Sequence, residues 1–300
     1  MNTTTVRSRF DGLDLSVAYQ EAESPKGILQ IVHGMAEHKE RYAAFMDYLS
    51  ARGWITVIHD HRGHGASVED PKDLGYLYKG GWEAMVDDVK TVQEWAAAKF
   101  PGLPVSLFGH SMGSMVVRSF TKRYDSAIDH LVVCGCPSDN PGKDAGAMLA
   151  KVIGFLCGQK YRSNMLDQLS FGSYNKPFRK EGRFAWLSAN RDNVKAYRED
   201  PLCGYCFTCN GFAGLLGVMK DCYSAEGWAM ANPDLPVMFI SGAEDPCRVS
   251  DAAFMSAVSF MKERGYKNVS SKLYPGLRHE ILLEKEAPSI YSDIFEFLSA

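Results

Sequence analysis

Val105-Ser106-Leu107-Phe108-Gly109-His110-Ser111-Met112-Gly113, continued by Met115-Val116-Val117-Arg118-Ser119-Phe120, reads as a strand, a Gly-x-Ser-x-Gly turn and a helix. A chain that passes straight from strand to helix holds the joining residue in a strained conformation, for which only glycine neighbours leave room. Ser111 is thereby pushed out where a substrate can reach it. The N–H of Met112, in the first turn of the new helix, points at the same spot and can hold a developing oxyanion. Such a motif also arises as a simple tight turn with a satisfied hydroxyl. The strand before it and the helix after it favour a nucleophile, provided that an acid and a base follow in the order Ser, Asp, His.

Upstream, Val6 to Phe10 and Leu13 to Tyr19 flank the hairpin-type turn Asp11-Gly12, an antiparallel start. Gly27-Ile28-Leu29-Gln30-Ile31-Val32 is more continuously apolar, as expected of a strand buried on both faces. It runs into His33-Gly34-Met35-Ala36-Glu37-His38. Tyr42, Phe45, Met46 and Leu49 recur at helical spacing before the strand Trp54 to Ile58, and Met85, Val89, Val92 and Trp95 share one face of a later helix. Strand, helix, strand, helix, strand is the signature of a parallel sheet covered on both sides.

Downstream, the rhythm breaks after the strand His130 to Gly135 and resumes at Leu235-Pro236-Val237-Met238-Phe239-Ile240. Between about Ser138 and Cys222 the sequence has helical stretches and no convincing strand. The expected architecture is therefore α/β: a mostly parallel sheet with helices on both faces, formed by residues 1–137 and 223–300, and a helical cap inserted at 138–222. The cap carries twelve Lys/Arg against eight Asp/Glu, which leaves the rest of the chain acidic. Solvated helix faces account for this, as would attraction of an anionic substrate or a lipid interface.

A net charge of −3 over 300 residues gives no case for nucleic acid. No apolar run approaches the ~20 residues of a membrane span, and the N-terminus lacks the layout of a secretory signal, so a cytoplasmic protein is expected. Eight irregularly spaced cysteines fit a reducing compartment. Cys203-x-x-Cys206-x-x-Cys209 has no fourth ligand at motif spacing and reads as buried thiols, so neither metal nor cofactor is expected.

In an open parallel sheet, function gathers at the carboxyl ends of the strands, and Met35, Ser111, Asp245 and His279 all fall there. A serine alcohol is a poor nucleophile until an imidazole takes its proton, and a carboxylate must hold that imidazole in one tautomer. His279, in Pro275-Gly276-Leu277-Arg278-His279-Glu280, is the expected base and Asp245 its orienting acid. His64 and His110 compete for the first role and Glu244 for the second. The N–H groups of Met35 and Met112 are the expected oxyanion donors. His33, Gly34, Arg62 and His64 are read as structural, and Phe155, Leu156, Phe212, Leu215 and Leu216 as a wall for an acyl chain or as packing.

The chain resembles the monoglyceride lipase and lysophospholipase group of the α/β-hydrolase superfamily, which also holds serine aminopeptidase-like members. The resemblance covers nearly all of the core and rests on His33 to His38 with Arg41-Tyr42, Asp60-His61-Arg62-Gly63-His64-Gly65-Ala66-Ser67, Gly109 to Gly113, Gly242-Ala243-Glu244-Asp245-Pro246 and His279-Glu280. It implies the same triad and oxyanion hole, and an acyl-enzyme hydrolysis of a small-molecule acyl ester without a cofactor. Ala36 departs from a glycine common in the family, the cap matches no member closely, and Cys247 is treated as packing. Amide cleavage, for which Glu199 or Asp200 would meet a substrate amine, and a non-catalytic binding role are the alternatives.

Overall fold

The computed structural model describes all of residues 1–300. Eight strands form one sheet: β1 Asn2–Arg7, β2 Asp14–Gln20, β3 Gly27–Val32, β4 Trp54–His59, β5 Val105–His110, β6 His130–Cys134, β7 Val237–Gly242 and β8 Val269–Tyr274. Their spatial order is β1-β2-β4-β3-β5-β6-β7-β8. The first two are antiparallel to each other, β2 is antiparallel to β4, and the rest run parallel. Every residue of β3, β4, β5 and β7 is buried, which is why these strands read as mainly apolar runs rather than as alternations.

Helices cover both faces. On one side α1 (Ala43–Ser50) and α9 (Ala287–Leu298) pack Phe45, Met46, Ile290 and Ile294 against Leu29, Ile31, Phe108 and Ile240. On the other, α2 (Gly81–Lys99), α3 (Met112–Tyr124) and α8 (Asp251–Arg264) pack against Leu107, Leu131, Val133 and Phe239. Leu107 and Phe108, adjacent in β5, thus serve opposite cores, as the two-residue period of a strand requires. Between β6 and β7 lie α4 (Lys143–Cys157), α5 (Asn164–Phe171), α6 (Arg191–Glu199) and α7 (Cys209–Cys222), with no strand among them. Helix α7 joins the insert to the sheet domain: Phe212, Leu215 and Val218 share a core cluster with Met85, Met115 and Phe120.

Candidate active site

Ser111 joins β5 to α3 with φ 53° and ψ −117°, a conformation that costs a non-glycine residue free energy. Its neighbours make the turn possible by lacking side chains. A Cβ on Gly109 would lie 2.4 Å from the carbonyl oxygen of Gly113, and one on Gly113 would lie 2.0 Å from that of Val32. The Ser111 N–H donates to the Cys134 carbonyl (2.9 Å), and its own carbonyl accepts from the Ser114 hydroxyl (2.6 Å). The Ser111 hydroxyl caps no helix N–H, and the residue lines a cavity.

His279 lines the same cavity. Its Nδ1 is 2.9 Å from Asp245 Oδ2, which also accepts from the Ser241 hydroxyl at 3.0 Å, while Oδ1 accepts from the Cys247 N–H at 2.8 Å. Burial opposes charge on both groups. The imidazole opposite and these two donors nonetheless hold the Asp245 carboxyl below its ordinary range, and the carboxylate raises the His279 pKa above 6.5. With Nδ1 so held, Nε2 is the nitrogen left for proton transfer, and the Cys247 sulfur lies 4.0 Å from it. The ring is wedged between His110 and Trp186, at 4.8 and 5.0 Å between centroids, and His110 Nε2 lies 3.3 Å from the His279 carbonyl. An imidazole fixed in tautomer and orientation on the wall of a cavity that a serine also lines can act as a general base.

The loop after β3 supplies the other wall. The N–H groups of Met35 and Met112 donate to no protein acceptor, and both residues line the cavity beside Ser111. Glu37 holds this loop in shape. Its Oε1 accepts from the Gly34 N–H (2.6 Å), the Tyr42 hydroxyl (2.9 Å) and His110 (3.2 Å), and its Oε2 from Arg41 (2.7 Å). Burial would push the Glu37 pKa up, yet His110 and Arg41 hold it well below the usual carboxylate value. Arg41 also grips both oxygens of Glu280, at 2.6 and 2.8 Å, and so ties the loop to the residue after His279. This network of Glu37, Arg41, His110 and Glu280 was not anticipated as part of the site. The signal available was the charged run Glu37-His38-Lys39-Glu40-Arg41 two residues after Met35, and Glu280 directly after His279.

The cavity measures about 440 Å³. Its wall includes apolar side chains, Met115, Phe171, Leu215, Leu216 and Met219, and polar ones, Asn164, Asp167, Gln168 and Arg183.

A family model described as serine aminopeptidase, S33, matches residues 23–286. The chain belongs to this family. Among the relatives of this S33 hydrolase, a monoacylglycerol lipase of Mycolicibacterium smegmatis is 26% identical over 274 residues, spanning 91% of this chain and 88% of that one. A human monoglyceride lipase is 25% identical over 275 residues, spanning 91% and 80%. A thermostable carboxyl esterase from Bacillus coagulans, solved with glycerol, superposes with a TM-score of 0.92 at 23% identity, covering 99% of this chain and 97% of that one. A monoacylglycerol lipase from Paleococcus ferrophilus does so at 0.71 and 24%, covering 95% and 98%. The fold is thus that of the α/β-hydrolases, as the order of elements led one to expect.

The S33 hydrolase departs from expectation in its insert. Phe155 and Leu156 do not wall the cavity; they are 85% and 74% exposed on the outer face of α4. Phe212 does not line it either, being packed in the core against Phe207 and Phe171. Leu215 and Leu216 do line it. Hydrophobicity alone marks a helix face as buried or sticky without saying which neighbour it meets. Glu199 and Asp200 lie outside the cavity lining, whereas Cys247, taken for packing, lines it with its sulfur 4.0 Å from His279 Nε2. His64 sits apart from the Asp245–His279 pair in a buried cluster with His33 and His61. Arg62 braces loops through Asp88 and Asp11. The thiols of Cys203, Cys206 and Cys209 do not converge.

Proposed function

We propose that this S33 hydrolase is a carboxylic-ester hydrolase that works through an acyl-enzyme on monoacylglycerol, lysophospholipid or a similar monoacyl ester. Ser111 attacks the acyl carbonyl as His279 Nε2 takes its proton, and Asp245 stabilises the imidazolium. The N–H groups of Met35 and Met112 hold the oxyanion. His279 then protonates the departing alcohol, and a water deprotonated by the same ring releases the acid.

The observation that carries this reading is that His279, paired with Asp245, and Ser111 on its strained turn line one cavity whose wall holds both apolar and polar side chains. The lining residues Met115, Leu215, Leu216 and Met219 suit an acyl chain, and Asn164, Gln168 and Arg183 suit a polar alcohol portion. The names of the two lipase relatives agree. Outside the cavity, Met148, Val152, Phe155 and Leu156 on α4 and Leu169 on α5 leave apolar side chains exposed, a surface fitted to touch a lipid aggregate. Amide cleavage keeps one supporting observation: Asp167, half-buried, is a cap carboxylate that lines the cavity and could meet a substrate amine.

The test is hydrolysis of p-nitrophenyl esters from acetyl to palmitoyl and of monoacylglycerols, beside aminoacyl p-nitroanilides. Preference for medium or long acyl esters, abolished by Ser111→Ala in a folded protein, is expected. Activity confined to the anilides would reject the ester reading, and full activity of Ser111→Ala would reject the nucleophile.

A further inference from the structure

His38 ends the loop that carries Met35, and both of its ring nitrogens face carboxylates. Nδ1 lies 2.6 Å from Glu40 Oε2 and Nε2 lies 2.8 Å from Asp200 Oδ2. Cys203 is three residues beyond Asp200, and its N–H donates to the Asp200 carbonyl at 3.1 Å. One ligand atom from each of His38, Asp200 and Cys203 lies within 4.8 Å of the other two. His38 and Cys203 are buried, while the Asp200 side chain is 31% exposed and opens the group to solvent.

We propose that His38, Asp200 and Cys203 form a binding site for one divalent transition-metal ion, zinc being the best match. An imidazole, a carboxylate and a thiol are the donors that zinc takes, and three protein ligands leave a fourth position for water. Glu40 is placed as an outer carboxylate on the far ring nitrogen, the arrangement that fixes the tautomer of a metal-bound histidine. Charge also closes: the ion's two positive charges meet one thiolate and one carboxylate. The binding step exchanges the ion for two protons, one from the Cys203 thiol and the one His38 Nε2 shares with Asp200, and both leave to solvent. The nearby guanidinium of Arg41 is committed to Glu37 and Glu280.

None of the three ligands lines the cavity, although Ala36, Glu37 and Gly204 beside them do. The ion would therefore not take part in hydrolysis. It would pin the insert to the loop bearing Met35, at the place where the Gly204 N–H already donates to the Ala36 carbonyl at 2.9 Å. Of the three cysteines at regular spacing only Cys203 joins the site; the Cys206 thiol faces the carbonyls of Phe207 and Ser163.

Titration of the metal-free full chain with Co²⁺, followed by displacement with Zn²⁺, tests the proposal. One equivalent is expected, with a thiolate-to-cobalt charge-transfer band that Zn²⁺ abolishes. Cys203→Ser should remove the band and weaken binding at least ~10-fold, and Glu40→Gln should weaken it about 10- to 100-fold. A second group of donors, Asp245, Cys247 and His279, lies at the proposed catalytic centre. Cys247→Ser should therefore leave the band in place. Absence of a band, or a band that survives Cys203→Ser and disappears with Cys247→Ser, would overturn the proposal. Should Cys203→Ser fail to fold, Asp200→Asn at the more open position tests the site through its thermal shift. Zn²⁺ should raise the melting temperature of the unaltered chain and not that of Asp200→Asn, and an equal rise in both would also count against the site.

Discussion

A buried carboxylate stays ionised only with a partner, and the pairing of Asp245 with His279 has a cost that appears in the pH profile. The charge of Asp245 raises the pKa of His279 above 6.5, and the proposed general base works only when neutral. The acid limb of kcat/KM should then have its midpoint above pH 6.5; a midpoint below it would show that another group is the base. Asp245→Asn removes the charge and the tautomer control together, so kcat should fall about 10³- to 10⁴-fold while the protein stays folded. Ala36 poses a different question at the same scale. Its φ of 52° is a left-handed conformation that costs alanine roughly 1 kcal/mol, and the Tyr197 hydroxyl and the Gly204 N–H hold its carbonyl in place. Ala36→Gly should raise stability in chemical denaturation by somewhat less than that cost, about 0.5 kcal/mol, because glycine loses more backbone entropy on folding. A loss of stability would show that the alanine methyl contributes packing.

At the scale of elements, what the sequence revealed and what it concealed divide by range. The strand, turn and helix around Ser111 were legible because they depend on neighbours: an apolar run, two glycines, an amphipathic stretch. The network of Glu37, Arg41 and Glu280 was not, since it joins residues 239 positions apart in the chain. The insert was legible as helical but not in its orientation. Leu215 and Leu216 face the cavity while Phe155 and Leu156 face solvent, and both pairs sit in equally apolar helices. That exposed face of α4 makes its own prediction. Phe155→Glu with Leu156→Glu should cut binding to phosphatidylcholine vesicles and activity on dispersed monoacylglycerol, yet leave the rate on soluble p-nitrophenyl acetate within about twofold, because neither side chain contributes to the buried core. An equal loss on both substrates would show instead that α4 shapes the cavity.

Across the whole molecule, the parallel order of the sheet could be read from strand spacing, but not that four histidines are buried together where β3 and β4 end. His33, His59, His61 and His64 are all fully buried around the loops that follow β3 and β4, and His59 has no hydrogen-bond partner at either ring nitrogen. Burial holds all four pKa values down, to about 3 for His59 and about 4 for His64. In the unfolded chain each would take up a proton near pH 6.5. The folded state therefore binds fewer protons than the unfolded state below that pH. Stability from these groups is complete above about pH 6.5 and is lost as the pH falls, by roughly 1.4 kcal/mol per pH unit for each histidine that stays neutral. His279 has a raised value and acts in the opposite sense: its stabilisation is complete below pH 6.5 and fades only as the pH rises through its folded pKa. It therefore does not offset the loss below pH 6.5. Urea denaturation at pH 7 and pH 5 should show a fall of several kcal/mol, and His59→Leu, which removes one protonation site, should make that fall shallower by roughly one proton's share. Equal stability at the two pH values would mean that the cluster opens to water or takes up protons while folded.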